Sequence, residues 1–198
     1  MSPNRIIGGS PVAPFSIPWQ VGLVPRGSYR TFCGGTLICP NVVLTAAHCE
    51  VTRFDEVIVG EHELNDPKGT RHRIQRVTNH PKYNDRNLNY DFAIIQLKDP
   101  VRLGANAVPA CLADSRMNEK FLIRKQAVVS DWGTLPSGNQ AIVLNSVSVP
   151  IISNKQCRKL YAPHFGPKAI ISAMLCAGNV KNGGIDACSG DSGGNRYE

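Results

Sequence analysis

Three short stretches of the chain hold residue types that do chemistry. They are Thr45-Ala46-Ala47-His48-Cys49, Asn89-Tyr90-Asp91-Phe92-Ala93-Ile94-Ile95, and Asp186-Ala187-Cys188-Ser189-Gly190-Asp191-Ser192-Gly193-Gly194. Each has an ordinary reading by itself. A His after a strand is more often structural or exposed, an Asp ahead of an apolar strand is often a turn residue, and a Gly/Ser/Asp loop is often only a turn. Together they supply, in the chain order His, Asp, Ser, the groups used in nucleophilic catalysis. A serine hydroxyl is a poor nucleophile at neutral pH and needs a base within hydrogen-bond reach. Histidine suits that task because its pKa lies near the working pH. A carboxylate can fix the imidazole tautomer and stabilise the imidazolium.

Such residues act only if the fold brings them together. Short β-branched and apolar runs recur at Gln20–Val24, Thr31–Ile38, Val42–Thr45, Glu56–Val59, Phe92–Leu97, Ala127–Val129 and Asn145–Ile151. Between them lie turn signals such as Pro25-Arg26-Gly27 and Pro136-Ser137-Gly138-Asn139. Many short strands with frequent turns predict an all-β barrel or sandwich. Ser153 is placed to cap one short helix running through Tyr161, with Pro163 as its stop. A stretch near Lys98–Met117, rich in Asp, Pro, Gly and Ala, reads as a linker between two halves.

The 198 residues leave room for one or two domains. With 42% hydrophobic and 19% charged residues, a disordered or fibrous chain is excluded. No apolar run approaches the roughly 20 residues that span a bilayer. Seven cysteines are many for a cytosolic protein and point to an oxidising compartment, and an odd count leaves at least one thiol unpaired. The formal net charge is +7, yet the one local concentration is Arg71-His72-Arg73 with Arg76. It has no interleaved aromatics and no nucleic-acid motif, so nucleic acid is not an expected partner. Salt-dependent heparin binding there remains compatible with any of the readings below. No Asn-x-Ser/Thr sequon is present, so N-glycosylation is not expected.

The flanking words make the pattern specific. Pro18-Trp19-Gln20-Val21, Cys33-Gly34-Gly35-Thr36-Leu37-Ile38, Asp131-Trp132-Gly133 and Leu175-Cys176-Ala177-Gly178 accompany the three stretches. From Ile6 to about Gly194 the chain resembles the trypsin/chymotrypsin family of secreted serine proteases. The resemblance implies two antiparallel six-stranded Greek-key barrels with the active site in the cleft between them. It divides the chain into an activation-peptide remnant (1–5), a first barrel with His48 and Asp91 (6–110), and a second barrel with Ser192 (111–198).

It also implies the roles. Ser192 would be the nucleophile, His48 the base and Asp91 the orienting acid, with the amides of Gly190 and Ser192 forming the oxyanion hole. Glycine at 190 permits a backbone orientation that a β-carbon would oppose. Arg5-Ile6 resembles the activation bond, whose cleavage would free the Ile6 ammonium to pair with Asp191. The chain retaining residues 1–5 would be the inactive precursor. Asp186, six residues before Ser192, would sit on the floor of the specificity pocket and select Arg or Lys. Ala187 beside it offers no hydroxyl to a bound Lys, which favours Arg.

By the same resemblance Cys33 pairs with Cys49 and Cys157 with Cys176. Cys188 would pair beyond Glu198, Cys111 would tie to a segment upstream of Met1, and Cys39 would be a free thiol or an extra crosslink. The loop from Glu61 to Arg71 matches a calcium loop, but Lys68 and Arg71 stand where carboxylates usually do, so no metal is expected. No cofactor is expected either. The absent signal peptide and the short run after Gly194 predict a sequence cut at both ends, with the second barrel incomplete. The implied protein is a secreted, extracellular monomer. It would act on protein and peptide substrates with basic residues and be controlled by protease inhibitors. The alternative is a non-catalytic homologue or truncated fragment used as a binding module. Such homologues usually lose a triad residue, and this chain keeps all three.

Overall fold

The structure, a computed structural model, describes residues 9–66, 68–114, 117, 119–134, 138–179 and 195–197. Its first half is a closed barrel of six antiparallel strands: β2 (Gln20–Pro25), β3 (Cys33–Cys39), β4 (Val42–Thr45), β5 (Asp55–Val59), β6 (Thr70–Asn79) and β7 (Ala93–Leu97). They close in the order β2-β3-β4-β7-β6-β5. Closure follows from which side chains point inward. Val21, Leu23, Leu37, Val43, Val57 and Ile95 are each fully buried and share one core.

The second half is a five-stranded antiparallel sheet. β1 (Ser10–Pro11), β9 (Asn145–Ile152), β8 (Gln126–Asp131) and β11 (Asn195–Tyr197) lie side by side, and β10 (Cys176–Ala177) pairs with β9. β9 shows strand periodicity directly: Asn145, Val147, Val149 and Ile151 are buried while the residues between them are not. Val147, Val149 and Ile151 pack on Ala127 and Val129 of β8. The stretch read as a linker lies against the first barrel. Val101, Val108 and Ala110 donate their amides to the carbonyls of Pro40, Pro18 and Leu37.

Two elements differ from the sequence expectation. β6 is ten residues long, yet its pattern of Arg, His, Gln and Thr hides it, since Ile74 alone is fully inside. Its conformation is imposed by pairing with β5 on one side and β7 on the other, across a bulge between Ile74 and Arg76. The helix expected to end near Tyr161 runs as α2 from Asn154 to Phe165, with Pro163 inside it. Its start is as expected, because the Ser153 hydroxyl accepts the Gln156 amide at 3.1 Å. Pro163 has no N–H to donate within the helix, and the last turn closes through the Gly166 amide on the Ala162 carbonyl. A four-residue helix, α1 (Glu119–Leu122), was not expected.

Leu37 is fully buried in the barrel core and Leu160 on α2 is 43% exposed. Leu37→Ala is expected to lower unfolding free energy by about 2–5 kcal/mol. Leu160→Ala should stay within about 0.5 kcal/mol. Urea unfolding of both variants measures the difference.

Candidate active site

Antiparallel register puts two of the expected catalytic groups on one rim of the barrel. β4 pairs with β7 so that Thr45 faces Ala93. His48 follows β4 in a 3₁₀ turn, Ala47–Cys49, and Asp91 precedes β7 by two residues. A separation of 43 positions in sequence becomes one contact. Asp91 Oδ1 accepts the backbone N–H of His48 at 2.8 Å, and Oδ2 lies 2.5 Å from His48 Nδ1. Two bonds to one carboxylate fix both the turn and the ring plane. With Nδ1–H donating to the carboxylate, Nε2 is the ring atom left to accept a proton. The His48 side chain is 34% exposed and that of Asp91 18%, so the ring faces solvent while its support is sheltered.

The His48 turn is pinned from behind. Cys49 is disulfide-bonded to Cys33 at the start of β3, and the Thr45 hydroxyl donates to the Gly34 carbonyl at 2.8 Å. Asp91 has its own buttress, which the sequence did not disclose. Leu88 and Tyr90 hold positive φ angles of 53° and 56°, an uncommon state for side chains of this size. The turn is held by stacking: His80 lies 4.9 Å from the Tyr90 ring and 4.5 Å from Phe92, and its amide donates to the Phe92 carbonyl. The signal was available only as aromatic residues flanking an Asp, which also fits an ordinary turn.

A family model for trypsin matches residues 6–195. The chain belongs to the trypsin family. It is 38% identical to a trypsin of Xenopus laevis over 96% of its length and 74% of that protein. It is 36% identical to the clotting factor G β subunit of Tachypleus tridentatus, covering 96% of this chain and 65% of that one. Among solved structures it resembles neuropsin, a serine protease expressed in the limbic system of mouse brain, with a TM-score of 0.85 at 33% identity. That likeness covers 97% of this chain and 82% of neuropsin, and it assigns the barrel and second sheet to the two-barrel trypsin-like fold.

Of the expected site residues of this trypsin-family chain, His48 and Asp91 are brought together. Ser192, Gly190, Asp186, Asp191, Cys188, Arg5 and Ile6 lie outside the described residues. Both expected disulfides are present, Cys33–Cys49 and Cys157–Cys176, spanning 16 and 19 residues. Loops of that size correspond to about 3 kcal/mol each in the chain-entropy model. Cys39 and Cys111 are free and exposed. Among the described residues, one cluster of metal-ligand types lies within 4.8 Å, namely Cys33, His48 and Cys49, and its two sulfurs are bonded to each other. No described helix is long and apolar enough to cross a membrane.

The loop likened above to a calcium site is tied by the chain's own contacts. Glu61 is 8% exposed, and its two oxygens accept the amides of His62 and Gly69. The Lys68 ammonium lies 2.7 Å from Asp66 Oδ2, and that hydrogen bond raises its pKa. A Ca²⁺ ion needs six to eight oxygens, while Glu61 is engaged by two amides and Asp66 by Lys68. Arg71, counted against calcium on sequence, is elsewhere: it binds Glu56 and the Ser28 carbonyl.

Millimolar calcium is therefore expected to leave the melting temperature unchanged, and a calcium-dependent rise would contradict the assignment. Glu61 has a second consequence. Burial raises its pKa, more than the His62 and Gly69 amides lower it. A raised folded-state pKa means stability that is present at low pH and lost as pH climbs through that pKa. Glu61→Gln should remove that loss, so the stability gap between variant and parent changes in the variant's favour from about pH 4 upward. Chemical denaturation across the pH range reads it.

Proposed function

We propose that the protein is a serine endopeptidase that hydrolyses peptide bonds after Arg or Lys. The observation that carries the reading is the double hydrogen bond from Asp91 to the backbone and ring of His48, in a chain of the trypsin family. That pair is the base and its orienting acid. Ser192 Oγ attacks the scissile carbonyl while His48 Nε2 takes its proton. The tetrahedral oxyanion is met by the amides of Gly190 and Ser192. Collapse expels the amine with the proton from His48 and leaves the acyl group on Ser192, and water then repeats the sequence in reverse to release the acid. In this reading one oxyanion donor is worth roughly 2.7–4 kcal/mol of barrier.

Asp186 supplies the charge that selects a basic side chain, and Ala187 tilts the choice to Arg. Cleavage at Arg5-Ile6 frees an ammonium that pairs with Asp191 and orders the site. Residues 6–110 and 111–198 are the two barrel halves of this reading. The protein is secreted and monomeric, acts on proteins and peptides, and is a target for protease inhibitors.

The test is labelling with a fluorophosphonate probe after brief treatment with trypsin. A single cut after Arg5 and labelling on Ser192 are expected, with labelling abolished in Ser192→Ala. Asp91→Asn should keep the fold and lower kcat by about 10⁴, because the imidazole then settles in the wrong tautomer. A folded, cut protein that does not react would refute the reading. Matched Arg, Lys and Phe peptide substrates rank specificity, and a preference for Phe would remove Asp186 from the pocket.

A further inference from the structure

Asp91 lies between two residues that rest on one ring. His80, the first residue after β6, stacks on Tyr90 with centroids 4.9 Å apart and planes at 13°, and it meets Phe92 at 4.5 Å and 48°. Tyr90 and Phe92 are the chain neighbours of Asp91 on either side. The His80 ring is itself held. Its Nδ1 accepts the Lys82 amide at 3.2 Å, and the His80 backbone donates to the Phe92 carbonyl at 3.0 Å and accepts the Tyr83 amide at 2.9 Å.

The backbone at Asp91 needs such a hold. The Tyr90 carbonyl accepts the Phe92 amide at 2.9 Å, which closes a three-residue turn with Asp91 at its centre. Tyr90 enters that turn at a φ of 56°, a left-handed value that a large side chain resists. Such a state persists only where its surroundings over-determine it. Two backbone ties fix the ends of the connection: Asn79 pairs with Ala93, and the Asn84 amide donates to the Asn89 carbonyl at 3.1 Å. The stack on His80 holds Tyr90 itself, with the Lys82 ammonium 5.7 Å from the same ring. A return of Tyr90 to negative φ would turn the peptide that leads into Asp91. The carboxylate would then swing away from the His48 amide and Nδ1, which it meets at 2.8 and 2.5 Å.

We infer that His80 is a positioning residue for the His48–Asp91 pair: its ring holds Tyr90 in the left-handed state and so sets the carboxylate that orients His48. It acts through Asp91 and not on the substrate. The flat face of the ring carries the role. Stacking on Tyr90 and Phe92 needs only that face, and Lys82 is exposed, so water can take the place of Nδ1 for its amide. The effect on turnover rests on the endopeptidase reading, whereas the effect on the His48–Asp91 hydrogen bond does not.

Two readouts test it on the full chain. One is kcat and KM on a small Arg peptide substrate after trypsin treatment, with kcat expressed per site titrated by fluorophosphonate. The other is the low-field NMR resonance of the proton between His48 Nδ1 and Asp91. His80→Ala is expected to lower kcat per site about 100-fold, the cost of a catalytic group misplaced by about 1 Å. KM should stay unchanged, and the resonance should shift or broaden. His80→Phe should restore both. Tyr90→Gly removes the stack but suits the positive φ, so it should fold and still lose kcat. A role confined to stability would reduce the number of titrated sites and leave kcat per site and the resonance at parental values. That result in His80→Ala, or in Tyr90→Gly should the first variant not fold, would overturn the inference. A His80→Phe variant as slow as His80→Ala would overturn it too, because the ring nitrogens would then carry the role. A parent chain that never labels would sink the catalytic reading alone, and the resonance would still decide the role of His80.

Discussion

The pairing of β4 with β7 is the constraint on which the site depends. His48 and Asp91 sit on loops that leave those strands at the same end, and the Thr45–Ala93 register decides that they meet. A shift of one residue would turn every core side chain of the strand outward. The contact does not act alone. Two hydrogen bonds join His48 to a sheltered carboxylate, whereas the barrel core buries many Val, Leu and Ile side chains at about 1.5–3 kcal/mol each. Val43 and Ile95, both fully buried in facing strands, therefore fix the register, and the His48–Asp91 geometry is read out from it.

The seam between the halves works differently, because polar groups set its alignment. Gln20 of β2 accepts the Ser130 hydroxyl of β8 at 2.8 Å, with both residues buried. Trp132 is fully buried against Leu64 and Leu144 and donates its indole N–H to the His62 carbonyl. A Cβ at Gly22 would come within 2.7 Å of the Thr31 methyl, beside the same indole, so the Thr31 side chain would have to move. Buried polar groups tolerate little displacement, since a lost partner costs about 1–3 kcal/mol. Apolar contacts alone would let the two halves slide. These directional bonds do not, and a catalytic cleft made from both halves needs that.

The short words around His48 and Asp91 were legible because local chemistry shapes them, and so were the strands whose inward residues are Val, Leu and Ile. What stayed hidden depended on partners far away in sequence. β6 carries a polar pattern and is a strand because β5 and β7 flank it. Arg71 looked like part of a cationic patch, but it reaches back 15 residues to Glu56 and 43 to Ser28. His72, in the same run, is partly buried, and that burial lowers its pKa and favours the neutral ring. Arg73 and Arg76 are left as the exposed pair. The support of Asp91 by His80, Tyr90 and Phe92 was equally invisible, because stacking leaves no spacing rule in the chain.

The loop from Glu61 to Thr70 is held by contacts among its own atoms. A metal holds such a loop only as far as its concentration allows, since binding stabilises by mass action. An ammonium carried on Lys68 has no such dependence. It remains an exposed ion pair with Asp66, so its contribution is small and screened by salt. The firmer hold comes from Glu61, buried and accepting the amide of its neighbour His62 and, across the loop, that of Gly69. A Cβ on Gly69 would lie 2.5 Å from a carboxylate oxygen of Glu61, so a side chain there would displace that carboxylate. The loop thus depends on the protonation of one buried acid.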